Sequence, residues 1–245
     1  MKKNIIVFFV LICIVIGIVL VSLFWTKEDE IKNVDEIAEK EVLSLCYYYS
    51  NKTNSGFYDK AWLNLDIKGE EISGEFNNYP AEKDSKVGKF EGTVGPLDQK
   101  IMARTANLWW DSLAEGMNTK EELVVQFGDG NAVALFGEMI DKGDGVYVYK
   151  DKMKLTSGFQ LGQISCKDLN EILAVEKYIR ENIKTITTDK PVLGGLWYVV
   201  SVFINYSLNT GSVTYEDGHI QGDATFEYEF DSNTKSTFIK NFKRI

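Results

Sequence analysis

The sequence predicts a mainly β protein of the α+β type. In order, it expects an N-terminal transmembrane helix, a small antiparallel β-barrel or sandwich, an amphipathic helix and a C-terminal antiparallel sheet. Three observations predict this. Residues 5–25 are an uncharged apolar run. Residues 43–166 alternate apolar and polar side chains in short stretches separated by turn residues. Residues 167–186 change to the helical period.

The apolar run comes first. A hydrocarbon core about 30 Å thick takes roughly 20 helical residues, and residues 5–25 match that length. The backbone must satisfy its own hydrogen bonds in lipid, so the β-branched residues there are compatible with helix. Lys2 and Lys3 precede the run and Trp25 closes it. The positive-inside rule then expects a cytoplasmic N-terminus and an extracytoplasmic remainder, with the membrane as first partner. A cleaved signal peptide needs small residues at its cleavage site, and Leu23, Phe24 and Trp25 are bulky. Cys13 follows Ile12 in mid-run and does not fit a lipidation site.

Residues 26–42 read as a polar stalk helix or linker, with Ile31, Val34, Ile37, Ala38 and Val42 at helical spacing. From residue 43 the period is two. Leu45, Tyr47 and Tyr49 alternate, and so do Leu63, Leu65 and Ile67 against Trp62, Asn64 and Asp66. Turn clusters recur at Lys68-Gly69-Glu70, Gly95-Pro96, Gly128-Asp129-Gly130-Asn131 and residues 141–145. About eight short strands follow, the pattern of a small barrel or sandwich. Residues 167–190 hold the amphipathic helix and a linker, with Leu169, Ile172, Val175, Ile179 and Ile183 on one face and Pro191 beyond. Residues 191–245 form a four- or five-stranded sheet region, marginal in size for a core of its own. This sheet is expected to need the helix, or a partner, over one face.

Charge and cysteines narrow the function classes. The formal charge is −9, and Lys2 and Lys3 supply +2 before the apolar run, so the part beyond it carries −11. That balance argues against nucleic acid and permits a basic protein partner. Cys46 and Cys166 are the two cysteines beyond the run. In an oxidising compartment they suggest one bridge, with two free thiols as the alternative.

Catalytic signatures are weak, and no catalytic, cofactor or metal residue is assigned. His219 is the single histidine and follows Asp217-Gly218 at a turn, so a Ser-His-Asp triad has little support. Glu70, Glu71, Glu75, Glu121 and Glu122 are paired carboxylates without a defined separation. Asp129, Asn131, Asp141 and Asp144 offer oxygens for calcium, but they are also ordinary turn residues and match no EF-hand loop. Aromatics are more suggestive. Trp109 and Trp110 are adjacent on a strand, so one faces the core and the other faces outward or lines a barrel cavity. They are the candidate ligand-contact aromatics.

The layout of lysines, anchor, early cysteine and acidic barrel resembles bacterial envelope proteins that inhibit lysozyme. In those, a disulfide-bearing barrel presents an acidic surface to a basic enzyme. The likeness is one of layout and assigns no residue. The leading expectation is a single-pass extracytoplasmic protein with a non-catalytic binding or structural role. An acidic binder of a basic protein is the alternative, and a carboxylate-dependent hydrolase comes after it.

Overall fold

A strand with apolar residues on one face must bury that face, and a small sheet can do so by curling onto itself. Residues 43–164 take that route. The computed structural model describes residues 41–245 except Leu193. The expected anchor at 1–25 and nearly all of the stalk at 26–42 lie outside the described residues. Among the described residues no helix is long and apolar enough to cross a membrane. Val42–Ile245 forms one compact unit.

The first region holds β1 (Leu43–Lys52), β2 (Tyr58–Lys68), β3 (Glu71–Tyr79), β4 (Lys86–Asp98) and β5 (Ala103–Ala114). It continues with β6 (Met117–Gly128), β7 (Asn131–Phe136), β8 (Met139–Asp141), β9 (Val146–Tyr149) and β10 (Thr156–Ile164). Neighbours β1 to β7 pair antiparallel in sequence, β7 pairs with β10, and β10 returns to β1. The result is a closed eight-stranded antiparallel barrel, which decides between the two expected architectures. Eight strands enclose an interior that side chains alone can fill. Tyr47, Leu63, Leu65, Phe76, Phe90, Leu108, Trp110, Leu123 and Val125 do so. Close curvature requires glycine where strands crowd. A Cβ at Gly74 would stand 2.0 Å from the Asn64 carbonyl oxygen and 2.8 Å from the Phe90 ring.

Two details depart from the sequence reading. Residues 95–98 do not turn. β4 runs on to Asp98 across a register shift between Val94 and Leu97, and a bulge is a place where a strand tolerates proline. The hairpin of β8 and β9 lies outside the barrel circuit, where β9 pairs parallel with β6 at Lys120 and Glu121.

Helix α1 (Cys166–Ile186) starts directly after β10. Ser165 caps it, its hydroxyl accepting from the Asp168 amide at 3.0 Å. All five residues of the expected apolar face are buried. The C-terminal sheet has order β11 (Tyr198–Asn205), β12 (Thr210–Glu216), β13 (Gln221–Asp231), β14 (Ser236–Arg244). One face of it packs on α1: Val202, Ile204, Val213, Tyr215, Phe226 and Tyr228 join Ile172, Val175, Ile179 and Ile183 in one core. Tyr48 and Ile164, from the barrel, pack against this second core.

The linker after α1 is held by side chains. Asp189 accepts from the Tyr215 hydroxyl at 2.7 Å and pairs with Arg244, while its carbonyl accepts from the Trp197 indole at 2.9 Å. Asp217 accepts from the amides of Val192, His219 and Ile220. The hydrogen bonds from Ile220 and Val192 hold its carboxyl below the usual carboxylate range.

Candidate functional site

Cys46 and Cys166 are bonded, with Cα atoms 5.1 Å apart. Cys46 stands on the outer barrel face, beside Asn64 of β2, and Cys166 opens α1. The bridge therefore fixes the start of the helix against the outside of the barrel.

Farther along, helix and barrel separate enough to leave a cleft of about 590 Å³. Its barrel wall comes from three neighbouring strands. Tyr48 of β1 and Trp62 of β2 are register partners, and Lys60 is the partner of Tyr79 on β3. The alternation that sends Ala61 and Leu63 inward sends Lys60 and Trp62 out. The helix wall comes from Leu173, Glu176, Lys177, Arg180 and Glu181.

An ion network crosses the cleft. Lys60 hydrogen-bonds to Glu176, and their side chains are only 7% and 16% exposed. Arg180 donates to the same Glu176 oxygen, from Nε at 2.9 Å and Nη2 at 2.8 Å, while its Nη1 donates to the Val199 carbonyl at 3.0 Å. Three donors thus converge on Oε1. Among the described residues no hydrogen bond reaches Oε2. Burial pushes the Glu176 carboxyl up, but Lys60 and Arg180 outweigh it and the carboxyl lies below its usual value. Burial also lowers the Lys60 ammonium, against the pull of Glu176. Tyr48 is pushed up by burial and by the Glu176 charge.

The expected aromatics separate as adjacent strand residues must. Trp110 points inward at 3% exposure, with its ring centroid 5.2 Å from that of Phe76. Trp109 points outward at 36% exposure, with the Lys120 ammonium 5.9 Å from its ring centroid. Trp110 is packed among the buried side chains of the barrel interior. Around Trp109 the outer face carries Asp66, Glu71, Glu91 and Thr93 along a groove of about 560 Å³.

The paired carboxylates do not converge. Glu121 meets Lys86 at 2.5 Å and the Thr119 hydroxyl at 2.6 Å inside one end of the barrel. Glu122 instead accepts from the Tyr149 amide and pairs with Lys152. Glu71 and Glu75 stand on the outer face of β3. Asp129 and Asp144 adopt positive φ, and Asp141 accepts from the Gly143 amide at 2.7 Å, so these are turn-forming roles. Among the described residues no group of three His, Cys, Asp or Glu is placed to hold a metal ion.

The sequence reading did not find the cleft. Lys60 and Glu176 are 116 residues apart, and each looks locally like an exposed position of its own element. The local signal was a lysine two residues before a tryptophan, on the polar face of a strand.

No protein-family model, curated protein or solved structure matches the chain.

Proposed function

We infer that the chain is a membrane-anchored extracytoplasmic protein with a non-catalytic binding or structural role, engaging its ligand or partner on outer surfaces of the barrel. One observation carries this reading. The barrel is closed and its interior is occupied by its own side chains, so recognition falls to the outside, where the cleft along α1 and the groove beside Trp109 lie. The apolar run at 5–25 and the Cys46–Cys166 bridge support an anchor and an oxidising compartment. Cross-linking the full chain in its native membrane, followed by identification of what it captures, tests the reading. Saturable capture by the outer surface without turnover of the captured molecule is expected. A turnover activity abolished by one point substitution overturns it.

A second reading is binding of a basic protein through the acidic outer face. Around Trp109, Asp66, Glu71, Glu75, Glu91 and Asp111 outnumber Lys68, Lys89 and Lys120, which favours it. Affinity for a basic protein should then fall steeply between low and physiological salt. Binding that does not respond to salt counts against it.

A further inference from the structure

We propose that the cleft between α1 and strands β1–β3 is a saccharide-binding subsite. The proposal rests on the reading of the chain as a binding protein and names the ligand class for one of its surfaces.

The chemistry of the cleft walls eliminates other ligand classes. Tyr48 and Trp62 stand side by side on adjacent strands, and Tyr79, 39% exposed, stands beyond them. They make an aromatic wall on the outside of a barrel whose own core is already complete, with the Tyr48 ring also packed against the core under α1. Opposite them stand a carboxylate and a guanidinium held in fixed orientation by each other and by Lys60. A purely apolar ligand would strip water from Glu176 and Arg180 and give them nothing in return, which is costly. A small anion would meet three cations that each already bond to a carboxylate, Lys60 and Arg180 to Glu176 and Lys177 to Glu181, and would have to break one of those pairs to bind. A small cation would find that carboxylate already holding Lys60 and Arg180. What remains is a neutral ring with apolar faces and a polar rim. Its C–H face lies on aromatic rings, and its hydroxyls bond to charged planar groups. A sugar ring has that character.

One free acceptor sharpens the fit. Glu176 Oε2 has no hydrogen bond among the described residues, while its twin oxygen receives three. A sugar hydroxyl can donate to it, forming a charge-assisted bond. The volume of about 590 Å³ lies within the range of roughly 300–1,000 Å³ found for small-ligand sites.

The test uses the full chain in a detergent without a sugar headgroup. The probes are neutral tetrasaccharides of glucose, N-acetylglucosamine, mannose and galactose, followed by tryptophan fluorescence and by ligand-observed NMR. At least one probe should bind saturably. Its affinity should fall roughly tenfold or more, about 1.4 kcal/mol, in both Trp62→Ala and Glu176→Gln, and should not change in Met153→Ala, an exposed residue outside both the cleft and the Trp109 groove. Glu176→Gln is nearly isosteric and carries the test if Trp62→Ala melts early. Absence of binding by every probe up to about 10 mM, or binding that neither cleft variant weakens, overturns the proposal. Cleavage of a probe that both cleft variants abolish would support the saccharide site and overturn the non-catalytic reading. Capture of a protein partner with no saccharide binding would do the reverse.

Discussion

The barrel and the C-terminal sheet solve the same problem in different ways. Both are antiparallel, and both have one apolar face to hide. The barrel closes on itself, so every circuit strand has two neighbours and the apolar faces meet in one interior. The sheet stays open at β11 and β14 and borrows its cover from α1. The Cys46–Cys166 bridge belongs to the first solution. Its loop encloses all of β2 to β10 and nothing of the sheet. One region is thus self-sufficient, and the other depends on a helix that is shared with the barrel's outer surface. The cleft lies on that shared surface, with one wall from the barrel and the other from the helix.

The largest effect expected is in the barrel core. Trp110→Ala removes the indole packed on Phe76 and should cost about 4 kcal/mol, read as a lower urea midpoint. A loss below about 1 kcal/mol would mean that the interior is less filled than described. Next comes the bridge. Replacing both Cys46 and Cys166 by alanine should cost about 3 kcal/mol, because the unfolded chain regains the freedom of a long loop. With roughly 2–4 °C per kcal/mol for a domain of this size, the melting temperature should fall by about 10 °C. An unchanged melting temperature would show that the barrel does not use the bridge.

A smaller effect concerns the contact between the two regions. The folded Glu176 carboxyl lies below its ordinary value because Lys60 and Arg180 outweigh its burial. A depressed carboxyl contributes stability that is present above its unfolded pKa, about 4.3. That contribution is lost as the pH falls through the folded value. Stability measured from pH 7 to pH 3 should therefore drop less steeply in Glu176→Gln than in the unaltered chain. Equal slopes would remove Glu176 from the acid limb.

Legibility in the sequence follows the range of the interactions. The buried face of α1 could be read in full, since Leu169, Ile172, Val175, Ile179 and Ile183 repeat at the helical period. The inward set Leu63, Leu65 and Ile67 could be read from alternation, and the split between Trp109 and Trp110 follows from the same rule. The bridge was legible because only two cysteines were available beyond the apolar run. Barrel closure was not. It depends on β10 returning to β1, and no local pattern distinguishes that from a second layer. The turn expected at Gly95-Pro96 was misplaced because a bulge and a turn use the same residues. The cleft escaped for a different reason: its walls come from β1–β3 and from a helix more than a hundred residues later.

The most direct test of the contrast between the regions is hydrogen exchange in Ile179→Ala. Ile179 is buried in the core that α1 shares with the sheet, and shortening it should cost about 3 kcal/mol. Amides of α1 and β11–β14 should then lose protection together, while those of β2–β7 keep theirs. Equal loss of protection in barrel and sheet would contradict the account, because it would make the two regions a single cooperative body.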